Sequence, residues 1–214
     1  FRTELITNVS HDIKTPLTSI INYVDLLQKE DIDNEKVREY LDVLDRQSSR
    51  LKKLIQDLLE ASKASTGSIN VELEELDAAV MLSQVAGEYE EKFKKNNLDL
   101  IIKNDVTPVM IQADGRHLWR VFDNLMNNIN KYAQPCTRVY IDIIPKDSGA
   151  IITFKNVSAT PLNISSDELK ERFVRGDSSL NTEGIGLGLS IAESLMKLMN
   201  GTLELTVDGD LFKV

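Results

Sequence analysis

The chain has 214 residues, 42% hydrophobic and 28% charged, the balance of a globular protein with a true core in one large domain or two small ones. Its formal net charge of −9 argues against broad nucleic-acid binding, and the single cysteine, Cys136, excludes an intrachain disulfide and suits a reducing cytoplasm. No apolar run approaches the roughly 20 residues of a membrane-spanning helix, and there is no signal peptide. Phe1 is not an initiator methionine and the chain stops in the strand-like "DGDLFKV", so it reads as a fragment of something longer.

Residues 1 to about 63 contain one proline and no glycine. Apolar residues recur at spacings of three and four as Ile6, Val9, Ile13, Leu17, Ile20, Val24 and Leu27, which predicts a helix. The polar break "KEDIDNEK" follows, with Asp33 or Asn34 placed to cap what comes next. A second stripe through Val37, Leu41, Leu44, Leu51, Ile55 and Leu58 predicts a second helix, its one polar gap filled by Ser48. A hairpin of two such helices gives each only one neighbour. Pairing two copies into a four-helix bundle covers the rest, so a homodimer is expected.

"KASTGSIN" (63 to 70) carries the first glycine, and the domain boundary is placed there: a helical hairpin over 1–65, a second domain over 66–214. Beyond it the strand-like stretches are "VELEEL", "LDLIIK", "PVMIQAD", "RVYIDII", "AIITFK" and "GTLELTV". Helical patterns cover roughly 77–94, 115–132 and 187–199. Strands and helices do not alternate strictly and several strands adjoin as hairpins. This predicts an α+β sandwich rather than a parallel doubly wound sheet.

Three stretches carry chemistry. In "SHDIKTPLTSI" Pro16 lacks an N–H and crowds the carbonyl of Asp12, which predicts a kink. His11 lies opposite Val9 and Ile13 on the helix and so faces solvent. Asp12 beside it suits a carboxylate that orients the imidazole and takes its proton, and Thr15 shares its face with a hydroxyl able to hold a water. A neutral imidazole nitrogen is a competent nucleophile toward phosphorus; the plain alternative is an ordinary surface histidine. In "RVFDNLMNNINKYA" Leu118, Phe122, Leu125 and Ile129 form the buried stripe, while Asn124, Asn128 and Lys131 line another face. That face suits an oxygen ligand for Mg²⁺ and donors to phosphates, or is simply a polar outer surface. "GIGLGLS", Gly184 to Ser190, brings alternate glycines to a helix start, where backbone can approach an anion. It lacks the Lys-Ser/Thr of a Walker A loop. His117, in "ADGRHLWR", reads as a surface residue.

In this order the stretches resemble the sensor histidine kinases of bacterial two-component systems, across essentially the whole chain. "SHDIKTPLTSI" looks like the family's phospho-acceptor box, "NLMNNINKYA" its N box, "ERFVRGDSS" its F box and "GIGLGLS" its second glycine box. The resemblance implies a dimerisation and phosphotransfer hairpin followed by an ATP-binding α/β sandwich of the GHKL (Bergerat) type, shared with gyrase and Hsp90. It implies His11, Asp12 and Thr15 as catalytic residues. Asn124, Asn128, Lys131, Tyr132, Asn156, Phe173, Arg175, Gly184, Gly186, Leu187 and Gly188 would bind nucleotide, with Asn128 on Mg²⁺. The implied partners are a second copy and a response regulator's receiver domain, with no nucleic acid and no membrane contact from this fragment. The full-length protein would sit in the bacterial membrane with this part in the cytoplasm. One departure stands out. Where the family's first glycine box puts an aspartate that accepts from the adenine amine, this chain reads "NVSATPLNIS", with Asn156 just past a strand end as the candidate replacement and Asn163 as a lesser one. The rival readings are a degenerate member acting as phosphatase or scaffold, and an ATPase of the gyrase and Hsp90 group without phosphotransfer.

Overall fold

In the computed structural model of the chain the described residues are 2–30, 32–65, 69–104, 107–147, 149–162 and 185–214, with the backbone alone for 2–15, 64–65 and 185–187. The chain divides into two compact units, Phe1–Ile69 and Asn70–Val214.

The first unit is two helices, α1 (Arg2–Lys29) and α2 (Glu35–Ser65), and α1 continues on both sides of Pro16. Of the two capping candidates it is Asn34 that caps α2: its Oδ1 accepts from the amides of Lys36 (3.1 Å) and Val37 (3.3 Å). Gln28 Nε2 donates to Asp42 Oδ1 at 3.2 Å across the two helices, fixing their register. The apolar stripes split by heptad. Leu17 and Val24 of α1, with Leu41 and Ser48 of α2, are buried in the hairpin. Ile20 and Leu27, and Leu44, Leu51 and Leu58, each seven residues apart, stay 47–52% exposed. One seam of each helix is covered and the adjoining seam is bare.

In the second unit a five-stranded sheet runs in the order β2 (Asp99–Asn104), β4 (Arg138–Lys146), β5 (Gly149–Val157), β7 (Leu211–Lys213), β6 (Thr206–Asp208). β2 and β4 are parallel and the other neighbours antiparallel. β1 (Glu74–Asp77) and β3 (Met110–Ala113) form a separate antiparallel pair. Among the described residues three helices supply the other layer: α3 (Ala78–Lys95), α4 (Gly115–Tyr132) and α5 (Ile185–Leu198). A parallel pair cannot be closed by a tight turn, and α4 lies in the crossover between β2 and β4. Val139, Ile141 and Ile143 point from β4 into the core at every second position, as a half-covered strand requires. They meet Leu82, Val85 and Phe93 of α3, Leu125, Met126 and Ile129 of α4, and Leu189, Ile191 and Leu195 of α5 in the unit's buried core. Each such side chain contributes about 1.5–3 kcal/mol by leaving water. Phe154 of β5 stacks obliquely on Phe122 of α4, ring centres 5.9 Å apart, and sets the depth at which α4 lies on the sheet. The α+β class and helix-on-sheet layering are as the sequence led one to expect.

Helix ends account for the differences in boundary. α5 already includes Gly186 and Gly188, so part of the predicted glycine loop is the helix's first turn, where amide hydrogens need no internal partner. Its far end closes on Asn200 (φ +61), with Gly201 N donating to Met196 O and Asn200 N to Lys197 O. The exit from that cap takes up the residues after it, so β6 begins only at Thr206 and the final stretch folds back as β7.

Candidate functional site

Asn124 is 9% exposed, and its Nδ2 is buried with no hydrogen-bond partner among the described residues. Leaving such a donor unsatisfied costs about 1–3 kcal/mol, so the residue is not there for stability. α5 lies close by: a Cβ on Gly188 would be in van der Waals contact with Asn124, 3.5 Å from Oδ1 and 3.7 Å from Cγ. The helix start and the asparagine are thus packed together, and the first turn of α5 brings amides that have no intrahelical partner beside the Asn124 donor.

The other end of α4 is bound to the end of β5. Gln134 N donates to Val157 O and Ala159 N to Tyr132 O, both at 2.8 Å, and Ala133 bridges Ser158. Asn156 therefore lies next to the last turn of α4, on the same face of β5 as Phe154. It sits inside the strand rather than past its end, because these bonds carry β5 on to Val157. It is 4% exposed, and its Nδ2 donates to Val157 O at 3.3 Å. Asn128 and Tyr132 are half-buried and Lys131 is exposed, one turn apart along α4.

α4 is seated by polar bonds as well as packing. Tyr89 O–H of α3 donates to Asp123 Oδ1 at 2.6 Å, and Asn96 Nδ2 donates to Asn130 O at 2.9 Å. Burial, then the bond to Asp123 and its charge, push the Tyr89 phenol far above its ordinary value, so it stays a donor. The N-cap is Asp114, 2% exposed, which accepts from the amides of Arg116 (3.0 Å) and His117 (3.2 Å). Burial pushes its carboxyl up. The amides of Glu72 and His117, the charge of His117 when protonated, and Arg116 outweigh that and hold it below the usual carboxylate range.

His117 is not the surface residue its sequence context suggested. Its side chain is 19% exposed and Nε2 lies 3.2 Å from Asn70 O, a partner 47 residues away that local pattern cannot reveal. Sequence reasoning also missed Tyr89 and Asn96; Asp114, a carboxylate just before a helix, was readable as a cap.

The remaining predicted residues fall as follows. His11, Asp12 and Thr15 lie in α1, with side chains outside the described residues. Gly186 and Leu187 lie in the first turn of α5, backbone only, and Phe173, Arg175, Gly184 and Asn163 lie outside the described residues. Among the described residues no cluster of three His, Cys, Asp or Glu side chains suits a metal by itself. A hard cation that brings most of its oxygen ligands with a phosphate and water suits the side-chain amides of Asn124 and Asn128 better. No helix among the described residues is long and apolar enough to cross a membrane.

Residues 1–67 match the His Kinase A (phospho-acceptor) domain, and residues 113–212 match the histidine kinase-, DNA gyrase B- and HSP90-like ATPase. The chain is 31% identical over 205 residues to sensor protein VanSC of Enterococcus gallinarum, covering 94% of this chain and 56% of that protein. Full-length ShkA in complex with AMPPNP superposes with a TM-score of 0.82 at 22% identity, over 98% of this chain and 44% of that one. The histidine kinase ThkA in complex with response regulator protein TrrA gives 0.67 at 22% identity, over 98% and 60%. At these identities the two structures speak to fold. The chain spans little more than half the length of the curated relative.

Proposed function

We propose, for a chain that belongs to the two-component sensor histidine kinases, that it uses ATP to phosphorylate its own His11 and passes the phosphoryl group to an aspartate of a separate response regulator. One observation carries the nucleotide half of this reading: the unpaired amide of Asn124 packed against Gly188 in the first turn of α5. A buried donor without a partner among the described residues, beside helix-start amides that have no intrahelical partner, is complementary to phosphate oxygens.

In this reading Asn124, Gly186, Leu187 and Gly188 receive the phosphates, Lys131 and Tyr132 contact the nucleotide, and Asn156 accepts from the base. Phe173, Arg175 and Gly184 complete the set of nucleotide-binding residues. Asn128 holds Mg²⁺, which when bound neutralises phosphate charge. Asp12 holds the His11 ring by its N–H, leaving the other nitrogen to attack the γ-phosphorus. The bond to the bridging oxygen breaks, ADP departs, and the ring proton passes to Asp12. Charge neutralisation and alignment supply most of the rate in so loose a transition state. Thr15 orients the water that later hydrolyses the regulator's phosphoaspartate. The bare leucine seam of the hairpin supports a homodimer, with hairpin 1–65 and catalytic domain 66–214 as working halves. The complexed states of ShkA and ThkA support the nucleotide and the regulator as ligands. We place this portion in the cytoplasm, with the whole protein anchored in the bacterial membrane.

Asn156 favours a second reading. A neutral amide accepts a weaker hydrogen bond than a carboxylate by about 1 kcal/mol, several-fold in affinity, and only if Asn156 fails to accept at all does a poor ATP binder working mainly as a phosphatase result. A calorimetric ATP titration with Mg²⁺, followed by γ-labelled ATP, separates the two. Binding at or below millimolar concentration with acid-labile protein label is expected; binding too weak to saturate, with no label, would favour the phosphatase.

A further inference from the structure

The segment by which the chain enters the second unit is held by its backbone. The Glu72 amide donates to Asp114 Oδ2 at 3.0 Å, and the Asn70 carbonyl stands 3.2 Å from His117 Nε2. Asp114 accepts and the Nε2–H of His117 donates, and both residues stand at the start of α4. Asp114 caps that helix with Oδ1 and spends Oδ2 on the entry segment, so one buried carboxylate joins the two. His117 Nε2 also stands 3.8 Å from Asp114 Oδ2. Gly115 completes the arrangement: a Cβ there would come within 3.3 Å of Glu74 Oε1 and 3.8 Å of Leu76 Cδ2, so β1 lies hard against the first turn of α4.

A cap needs only one oxygen, and a helix start needs no histidine bonded to a carbonyl 47 residues away. What the extra bonds accomplish depends on the rest of α4. Asn124 and Asn128 follow His117 by seven and eleven residues, roughly 11 and 17 Å along one helix at its fixed rise. The first residues of the second unit, Asn70 and Glu72, are therefore fastened to the very helix that carries the side-chain amides of Asn124 and Asn128.

We infer that Asp114 and His117 are positioning residues that clip the entry segment to the nucleotide helix, delivering displacement of the hairpin to those side-chain amides instead of losing it in a slack connection. The catalytic consequence rests on the kinase reading; the clip itself does not. The bonds run to backbone atoms of Asn70 and Glu72, so the clip tolerates any side chains in that segment. By linkage, a ligand that orders α4 must also tighten the segment.

The test uses the full chain and two substitutions at one position. His117→Leu keeps bulk but removes the donor; His117→Gln restores an amide donor. Hydrogen exchange over residues 70–73, nucleotide affinity, and the initial rate of His11 phosphorylation at saturating ATP are read on each. His117→Leu should speed exchange about tenfold, leave nucleotide Kd within about twofold, and slow phosphorylation about tenfold, while His117→Gln recovers most of both losses. Three results would overturn the inference: unchanged exchange in His117→Leu, an unchanged rate despite loosened exchange, or a Kd that worsens as much as the rate. An unsubstituted chain that takes no label strikes the kinase reading instead. The clip is then decided by whether saturating AMPPNP slows exchange at 70–73 in that chain and not in His117→Leu.

Discussion

Asn124 is buried at a cost and Asp114 is buried at a gain, so the ligand role proposed for the first and the capping role of the second predict opposite effects of substitution. Replacing Asn124 by Ala removes an unsatisfied donor and improves helix propensity. The free protein should melt no lower, or higher by up to about 1 kcal/mol, while the stabilisation given by saturating nucleotide disappears. A large drop in intrinsic stability with the nucleotide effect retained would make Asn124 structural. Asp114 behaves oppositely. Its folded-state carboxyl is held below the ordinary value near 4, so its contribution is full above that pH and is lost as pH falls toward the lowered value. Asp114→Asn keeps a capping side chain and should flatten the loss of stability between about pH 5 and 3 in urea titrations; an unchanged acid slope would count against the charge-assisted bonds. Glycine and asparagine positions were legible because their chemistry is local. His117 was not, since its partner is distant in sequence, and Asn156 was misplaced by a strand end that depends on Gln134 and Tyr132.

At the scale of elements, α4 is flanked on three sides: by Phe154 beneath, by Tyr89 of α3 and its C-cap Asn96, and by α5 at Gly188. Tyr89→Phe deletes one buried hydrogen bond to a carboxylate. It should destabilise the second unit by about 1.5–3 kcal/mol in urea unfolding, with nucleotide affinity reduced only modestly. A neutral result would mean Asp123 is satisfied by Arg120, 3.7 Å away. The helices of the second unit were readable to within a residue or two at most ends, because their apolar stripes follow the helical period and their caps are Asp77 and Asp114. Sheet order was not. β2 pairs with β4 rather than with β3, its neighbour in sequence, and nothing in either strand's own residues states that preference.

For the whole molecule, the bare seam of Ile20, Leu27, Leu44, Leu51 and Leu58 is the feature a single copy leaves uncovered. Light scattering should give twice the chain mass of 24.1 kDa, and Leu51→Glu should shift it to one copy and remove the concentration dependence of melting. A monomer before substitution would leave the heptad split without an explanation. The central claim is that the nucleotide gripped between α4 and α5 gives up its terminal phosphoryl group to one imidazole on α1. Its most direct measurement is peptide mapping of the chain after incubation with γ-labelled ATP and Mg²⁺. The account predicts acid-labile label on the peptide containing His11, none from α-labelled ATP, and none in His11→Gln, whose nucleotide affinity stays intact; label that persists in His11→Gln would contradict it.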